Sequence, residues 1–263
     1  MPQICDIQRF LEQLAPLNLS EDWDNVGLLV GDRTAEANRI MTCLTVTPAT
    51  VQEAVAEQAN LIVTHHPFPF RSLKRLTTDS TVGRMLLQLV EKRIAIYSAH
   101  TAFDSCANGI NQKLSKLFGL SDIQPLQTIE GQSTQIGVGR YGSIASTTLE
   151  PFCQMVKQKL AISGLHIVGD GKNAVKKVGI ACGSAGQFLD VAIRNGCDTF
   201  VTGEANFHTC LEAEARNVNL ILPGHFASER FAMEEIGETI KGEFSNIEVW
   251  ASRSEIDPLV WIA

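Results

Sequence analysis

RIMTCLTVTPATVQEAVAEQANLIVTHH, which runs from Arg39 to His66, decides the fold because it predicts a strand, a helix and a second strand in succession. The β-branched runs RIMTCLTV and NLIVT flank an amphipathic stretch, TPATVQEAVAEQA. The alternation continues through STVGRMLLQLVEKR and IAIYSA. Helical crossovers of this length favour parallel strands. We therefore predict an α/β fold in which helices cover both faces of each sheet.

A later part of the chain repeats this pattern. The stretch KVGIACGSAGQFLDVAIRNGCDTFVTGE, from Lys177 to Glu204, aligns with the first stretch so that NLIVTHH matches DTFVTGE. The following unit, LVEKRIAIYSAHTAFD, aligns in the same way with EARNVNLILPGHFASE. These matches indicate a partly duplicated βαβ topology with a pseudo-twofold axis, and chance similarity between βαβ units is the alternative.

A segment rich in Gly, Gln and Ser divides the two repeats. It reads LQTIEGQSTQIGVGRYGSIAS, from Leu126 to Ser146, and it interrupts the strand and helix alternation. We predict a first α/β lobe over residues 1–125 and a second α/β lobe over residues 126–263.

Composition restricts the class of protein. Apolar residues make up 44% and charged residues 19% of the 263 residues, which favours a packed core over long disordered segments. No apolar run approaches the roughly 18 residues of a membrane-spanning helix, and MPQICDIQRFLEQL lacks the order of a signal peptide, so we expect a cytoplasmic protein. The formal charge of -7, without any block of like charge, gives no strong nucleic-acid signal. Seven scattered cysteines without a CxxC pair predict reduced, mostly buried thiols.

Histidines and acidic residues follow three of the predicted strands. His65 and His66 follow NLIVT, His100 and Asp104 follow IAIYSA, and His225 and Glu229 follow NLILPG. Because ligands bind at the carboxyl ends of parallel strands, we expect these groups to converge on a metal site between the lobes. Imidazoles mixed with carboxylates suit zinc, manganese, iron or cobalt. A single histidine is as often a structural residue, but the combination of all three clusters favours metal binding.

Two further histidines and two glycine motifs complete the candidates. His166 has no acidic partner at ligand spacing, and we interpret it as structural. Three interpretations of His208 stay open: a residue that hydrogen-bonds to a metal ligand, a proton carrier and a helix-capping group. We interpret GVGRYG as a strand with a turn, since no helix follows it directly as a dinucleotide site requires. The CGSAGQF motif, with Gly183 and Gly186, either binds a phosphate at a helix start or simply makes a tight turn.

Seven motifs together resemble a known family. In chain order they are WDNVGLLVGD, IVTHHPFPF, YSAHTAFD, VGRYG, GIACGSAG, DTFVTGE and GHFASE. They resemble the GTP cyclohydrolase 1 type 2 homologue family, also called Nif-three-like proteins, in its short form without an inserted domain. The resemblance covers the chain from Ile7 to Trp250, and its His-His-Pro and Gly-His-x-x-x-Glu motifs are specific in combination.

The resemblance implies a site and an assembly. It implies a toroidal homohexamer of two-domain α/β chains and a dinuclear centre with two divalent metal ions per chain. The metal ligands carried over are His65, His66, Asp104, His225 and Glu229. The resemblance places His100 beside the metals. The chain departs from the family pattern at Thr45, where many relatives have Asp, at Ala102 and Phe103, where Asn and Leu are usual, and at Ala185, where Gly is frequent.

The family name implies a reaction. It implies metal-dependent hydrolysis of a nucleotide such as GTP, with attack of water on the purine C8 position and ring opening to formate and dihydroneopterin triphosphate. In this hypothesis His100 is the catalytic proton shuttle and the GSAG turn is a triphosphate cradle. The same centre also suits a phosphoesterase or an amidohydrolase. Two non-enzymatic alternatives are a metal-binding or metal-delivery protein and a ring-shaped regulatory scaffold.

Overall fold

The computed structural model describes residues 1–260 and confirms the predicted α/β class. Its backbone divides into two compact units. Unit 1 comprises Met1–Phe103 and Ala232–Ile256, and unit 2 comprises Asp104–Phe231 with residues 257–260. The chain crosses from one unit to the other within two helices, α4 (His100–Ser105) and α9 (His225–Glu243).

Unit 1 is built on a mostly parallel sheet. Its strands are β1 (Gly27–Val30), β2 (Arg39–Cys43), β3 (Leu61–Thr64), β4 (Ala95–Ser98) and β13 (Glu248–Ala251). In the described chain they lie in the order β1-β4-β3-β2-β13, and only β1 runs antiparallel to its neighbour. The helices are α1 (Ile4–Leu14), α2 (Pro48–Ala56) and α3 (Thr81–Glu91), and a 3₁₀ turn covers Leu17–Leu19.

Local sequence explains where the crossover helices of unit 1 begin. The Thr47 side chain caps α2 by accepting a hydrogen bond from the Thr50 backbone N–H, and Pro48 occupies the first helical position, where its missing N–H costs nothing. Ser80 caps α3 in the same way through the backbone N–H of Gly83. Apolar residues of β2, β3, β4 and α3 form one buried cluster that includes Met41, Ile62, Ile96 and Leu89.

Unit 2 contains a mixed sheet. Its strands are β5 (Ser121–Gln124), β8 (Arg140–Thr148), β9 (His166–Val168), β10 (Ala174–Ala181), β11 (Thr199–Thr202) and β12 (Asn219–Leu222). Over the described residues their order is β5-β8-β10-β11-β12-β9, and β10, β11 and β12 are parallel. Strands β6 (Gln127–Thr128) and β7 (Gly137–Val138) form a separate small pair. The helices are α5 (Ile110–Leu117), α6 (Leu149–Leu160), α7 (Leu189–Arg194) and α8 (Phe207–Ala215).

The duplicated topology predicted from the sequence is present in the two units. In unit 1 the parallel strands β2, β3 and β4 are joined by α2 and α3, and in unit 2 the parallel strands β10, β11 and β12 are joined by α7 and α8. The aligned sequence motifs occupy equivalent positions: His65 follows β3 as Gly203 follows β11, and His225 begins a helix after β12 as His100 does after β4.

Buried Arg140 organises the glycine-rich segment that interrupts the alternation. Its guanidinium donates to the backbone carbonyls of Cys106, Gln135, Gly137 and Gly139 and to the side-chain oxygen of Gln112. Burial lowers the pKa of this side chain to about 10. The motif GVGRYG is a strand with a turn, as predicted, because β7 and β8 are separated only by Gly139, whose φ is +58°.

The predicted state of the cysteines is also confirmed. No disulfide forms among the described residues, and most of the thiols are buried, namely Cys43, Cys106, Cys153, Cys182 and Cys197. Among residues 1–260, no helix has both the length and the apolar character needed to cross a membrane.

Candidate metal centre

Three imidazoles lie together in unit 1 at the carboxyl ends of β3 and β4. His65 and His66 directly follow β3, and His100 begins α4 two residues after β4. One ring nitrogen from each of the three lies within 4.8 Å of the others. The ring centroids of His65 and His66 are 5.1 Å apart, as are those of His65 and His100. Within unit 1, the carboxyl ends of β3 and β4 therefore bring these three imidazoles together.

Backbone hydrogen bonds hold the His65–His66 pair beside the sheet. The His65 N–H donates to the Cys43 carbonyl at 3.2 Å, and the His66 N–H donates to the Leu44 carbonyl at 2.9 Å. The Ser98 hydroxyl donates to the His65 carbonyl at 2.6 Å. The His65 side chain is only 2% exposed, whereas His66 is half-buried. The two rings are thus held by strands on either side of β3.

Two of the rings have a polar partner on Nδ1. The Thr45 hydroxyl lies 2.7 Å from His66 Nδ1, and an Asp24 carboxylate oxygen lies 2.8 Å from His100 Nδ1. A hydrogen bond to one ring nitrogen sets the tautomer and orients the other nitrogen, which is the usual arrangement behind metal-binding or catalytic histidines. Thr45 therefore supports His66 through its hydroxyl group.

Asp24 is a site residue that the reasoning from strand ends missed. Its side chain is buried, and it also accepts hydrogen bonds from the backbone N–H and hydroxyl of Thr101. Burial by itself would raise the pKa of Asp24, but the hydrogen bonds with His100 and Thr101 outweigh it and lower the pKa. Its location in the WDNVG motif was the available signal, although that motif follows no predicted strand.

A second cluster in unit 2 combines a histidine with carboxylates. His225 is the first residue of α9, and its Nε2 lies 3.1 Å from an oxygen of Glu229, one helical turn further on. The Nδ1 atom lies 3.0 Å from a Glu204 oxygen. The hydrogen bond with Glu229 has the largest effect on the pKa of His225. Together with the interaction with Glu204, it outweighs the effect of burial and raises this pKa to about 9. The predicted placement of His225 and Glu229 on one face of a helix start is confirmed.

Asp104 belongs to the same neighbourhood of unit 2. The Cys182 thiol donates to an Asp104 oxygen at 3.3 Å. Burial raises the pKa of Cys182 well above its usual value, and the negative charges of Asp104 and Glu229 raise it further. Both carboxylates therefore lie close to one buried thiol that stays protonated. Cys182 was not singled out from the sequence, since a lone cysteine carries no spacing signal.

The glycine turn after β10 packs against the carboxylate of Glu229. Gly183 has a φ of +64°, and a Cβ at this position would lie 2.3 Å from a Glu229 oxygen. The Gly183 N–H donates to the Ser228 hydroxyl, and the Ala185 N–H donates to the Thr202 hydroxyl. With two N–H groups already bonded and a carboxylate alongside, this turn does not suit a phosphate. Of the two alternatives that the sequence leaves open for Gly183–Gly186, these contacts favour a tight turn that permits close packing.

The remaining histidines lie outside the two clusters. His208 is exposed in the first turn of α8 and contacts the ring of Phe207. The side chain that caps α8 is Asn206, which excludes the capping interpretation of His208. His166 is the exposed first residue of β9.

The donor sets of both clusters fit divalent transition metals. Unit 1 offers imidazoles, two of which are oriented by hydrogen bonds with Thr45 and Asp24. Unit 2 offers an imidazole with buried and half-buried carboxylates. Nitrogen and oxygen donors of this kind suit zinc, manganese, iron or cobalt, whereas calcium prefers oxygen ligands alone.

Comparison with known proteins assigns the family. The sequence model of Duf34/NIF3 (NGG1p interacting factor 3) matches residues 2–258. The chain belongs to the Duf34/NIF3 family. This confirms the resemblance drawn from the motifs.

Curated relatives of this Duf34/NIF3 chain match it over nearly their whole length. A protein of Clostridium perfringens named "GTP cyclohydrolase 1 type 2 homolog" is 33% identical over 99% of this chain and 100% of its own. A protein of Clostridium acetobutylicum with the same name is 31% identical over 97% of both chains. The "NIF3-like protein 1" of Drosophila melanogaster is 33% identical over 99% of this chain and 90% of its own.

Solved structures support the fold of this Duf34/NIF3 member. A Staphylococcus aureus protein superposes with a TM-score of 0.90 at 27% identity over 99% of both chains. A Bacillus cereus protein related to NIF3 superposes with a TM-score of 0.93 at 21% identity, also over 99% of both chains, and this likeness concerns the fold.

Proposed function

We propose that this chain is a metal-dependent hydrolase that acts on a nucleotide. Its ligands for two divalent ions would be His65, His66, Asp104, His225 and Glu229. The observation that supports this most directly is the cluster of three imidazoles in unit 1, whose ring nitrogens lie within 4.8 Å of one another. The cluster of His225 with carboxylates in unit 2 adds the oxygen donors that an open catalytic site commonly combines with imidazole.

Each side chain has a role in this proposal. Bound divalent ions would supply Lewis acidity and activate water for attack on the substrate. His100 is the proposed catalytic proton carrier, since Asp24 holds its Nδ1 and leaves Nε2 as the nitrogen that can exchange a proton with substrate. Asp24 is a positioning residue, because it acts on the reaction through His100. Thr45 orients His66 in the same manner.

The substrate class follows from the names of the relatives. Two relatives that are at least 31% identical over almost the entire chain are named for GTP cyclohydrolase, as homologues. We therefore propose GTP as the first substrate to test, with formate as the diagnostic product. Phosphoesters and cyclic amides are the next classes, since the same donor set would serve their hydrolysis.

The test measures metal content and turnover on the same protein. The chain is purified without chelator, its metals are counted by elemental analysis, and formate release from GTP is followed with the identified metal restored. The variants are Glu229→Gln and Asp104→Asn, which keep the side-chain size but weaken metal ligation. The control is His166→Gln, an exposed histidine outside both clusters. Circular dichroism confirms that each variant folds.

Each outcome decides between the hypotheses. The hydrolase is supported if the chain binds about two ions and forms formate, if the two carboxylate variants lose both metal and formate formation, and if His166→Gln keeps both. Two ions without any turnover of GTP, phosphoesters or cyclic amides favour the metal-binding or metal-delivery alternative. A chain without metal contradicts the central proposal and leaves the scaffold alternative.

The assembly implied by the resemblance and the location expected from the sequence stay part of the proposal. We propose a homohexamer in the cytoplasm. Multi-angle light scattering of the purified chain would give six times the chain mass of 28.7 kDa if the assembly is hexameric. A monomer in solution would contradict it.

A further inference from the structure

An exposed aromatic pair lies beside the imidazole cluster of unit 1. Trp23 is 63% exposed and Phe70 is 55% exposed, and their ring centroids are 6.3 Å apart. Each ring also meets His100 edge to face, at 5.9 Å from Trp23 and 6.2 Å from Phe70. Single exposed aromatic residues are ordinary on protein surfaces, but these two rings adjoin each other and a proposed catalytic imidazole.

The polypeptide around Trp23 is held in place by the same helix that carries His100. The Glu21 N–H donates to the Thr101 hydroxyl at 3.0 Å, and Asp24 bonds to both His100 and Thr101. Trp23 lies between these two anchors. Its ring is therefore presented to solvent at a defined position next to His100, although burying it elsewhere would gain hydrophobic free energy.

A basic segment continues directly from Phe70. Arg71, Lys74 and Arg75 are exposed, and none of the ion pairs found within residues 1–260 involves them. The acidic residue that follows, Asp79, accepts a hydrogen bond from the Thr77 hydroxyl. Three solvated cations on one segment are notable in a chain whose formal charge is -7. They supply a local positive charge for an anionic group.

We infer that Trp23 and Phe70 form a stacking surface for the planar heteroaromatic ring of the substrate, and that Arg71, Lys74 and Arg75 attract its phosphates. This inference rests on the proposed function and names the residues that would select a nucleotide. Any base has a flat π-face that stacks on an aromatic side chain, and Arg and Lys side chains bind phosphate oxygens. The arrangement replaces the glycine turn after β10 as the candidate phosphate contact, since two N–H groups of that turn are already bonded and the Glu229 carboxylate lies beside it.

The test separates ring binding from phosphate binding. Isothermal titration calorimetry on the full-length protein uses three probes: GTP, guanosine, which lacks phosphates, and inorganic triphosphate, which lacks the ring. Trp23→Ala should weaken GTP and guanosine binding by roughly tenfold, the scale of one lost base–aromatic stack, and leave triphosphate binding unchanged. Trp23→Phe, which keeps an aromatic face, should restore most of the affinity.

Substitutions in the basic segment should give the opposite pattern of binding to the three probes. The double variant Lys74→Gln/Arg75→Gln should weaken GTP and triphosphate binding, reduce the salt dependence of both, and leave guanosine binding unchanged. The matched control is Phe207→Ala, because Phe207 is 72% exposed and also contacts a histidine, His208, but lies outside the imidazole cluster. This control should bind all three probes like the unaltered protein.

Several results would overturn the inference. It fails if Trp23→Ala binds GTP as tightly as the unaltered protein, if it weakens triphosphate as much as guanosine, or if the unaltered protein binds none of the three probes. It also fails if Trp23→Ala dissociates an oligomer, since the pair would then belong to a subunit contact. GTP binding that depends on Trp23 without formate release would uphold this inference and remove the proposed reaction.

Discussion

Glu53 shows how one carboxylate secures a distant part of the chain. It lies in α2 and accepts hydrogen bonds from the Ser252 and Ser254 hydroxyls at 2.7 and 2.6 Å. It also accepts from the Arg253 backbone N–H and from the Trp250 indole N–H. Burial alone would raise the pKa of Glu53, but these hydrogen bonds lower the pKa to about 2. The residues after β13 are thereby fastened to a helix about 200 positions earlier in the sequence.

Glu53→Gln should therefore destabilise the protein in a pH-dependent way. Because the folded-state pKa is depressed, the ionised carboxylate contributes stability above the unfolded pKa of 4.5, and this contribution is lost as the pH falls towards 2. We expect a loss of about 1 kcal/mol at pH 7, after allowance for solvent screening of a partly exposed group. Denaturant unfolding at pH 7, 4 and 2 measures the difference between the two proteins.

An exposed glutamate provides the control for Glu53. Glu91→Gln, at the end of α3, should change stability by less than about 0.5 kcal/mol at every pH, since its contact with Lys92 is solvent-exposed. A Glu53→Gln deficit that persists undiminished at pH 2 would show that the stabilisation does not come from the ionised carboxylate.

Among the elements, the turn from β10 to α7 decides how closely unit 2 packs around Glu229. Gly183→Ala combines a left-handed backbone with a Cβ 2.3 Å from a Glu229 oxygen. We expect it to displace Glu229, to lower the metal content and to reduce stability by clearly more than the roughly 1 kcal/mol of backbone strain alone. Elemental analysis and denaturant unfolding measure the two effects.

Gly119→Ala separates strain from crowding. Gly119 also has a positive φ, +76°, but nothing lies within 4 Å of the position its Cβ would take. This variant should lose only about 1 kcal/mol of stability and keep its full metal content. Equal metal loss in both variants would contradict the role assigned to Gly183.

The elements themselves were largely predictable because their signals are local. The prediction of a strand, a helix and a strand between Arg39 and His66 corresponds to β2, α2 and β3, and Thr47 and Ser80 begin the helices as capping residues do. The sequence of the GSAG turn left a phosphate site and a tight turn as alternatives. The contacts that favour the tight turn come from other elements, since Ser228 and Thr202 accept hydrogen bonds from two of its N–H groups.

At the scale of the whole molecule, metal binding should raise thermal stability. A ligand that binds only the folded state adds about 2.7 kcal/mol when its concentration is 100 times its Kd. Differential scanning calorimetry of the full chain should show a higher Tm with zinc, manganese or cobalt and a lower Tm after chelation. The shift should be much smaller in Glu229→Gln and unchanged in His166→Gln. An identical Tm with and without metal would argue against a resident metal.

The sequence by itself determined the α/β class, the repeated βαβ units and the positions of His65, His66, His100, His225 and Glu229 at strand ends and helix starts. These follow from hydrophobic periods and residue spacing along short stretches of chain. Only the tertiary structure decided which side chains hydrogen-bond to the imidazoles and which pack next to them. Asp24 meets His100 across 76 positions, and Trp23 meets Phe70 across 47 positions. Such contacts depend on how strands and loops pack in space, which periodicity along the chain does not encode.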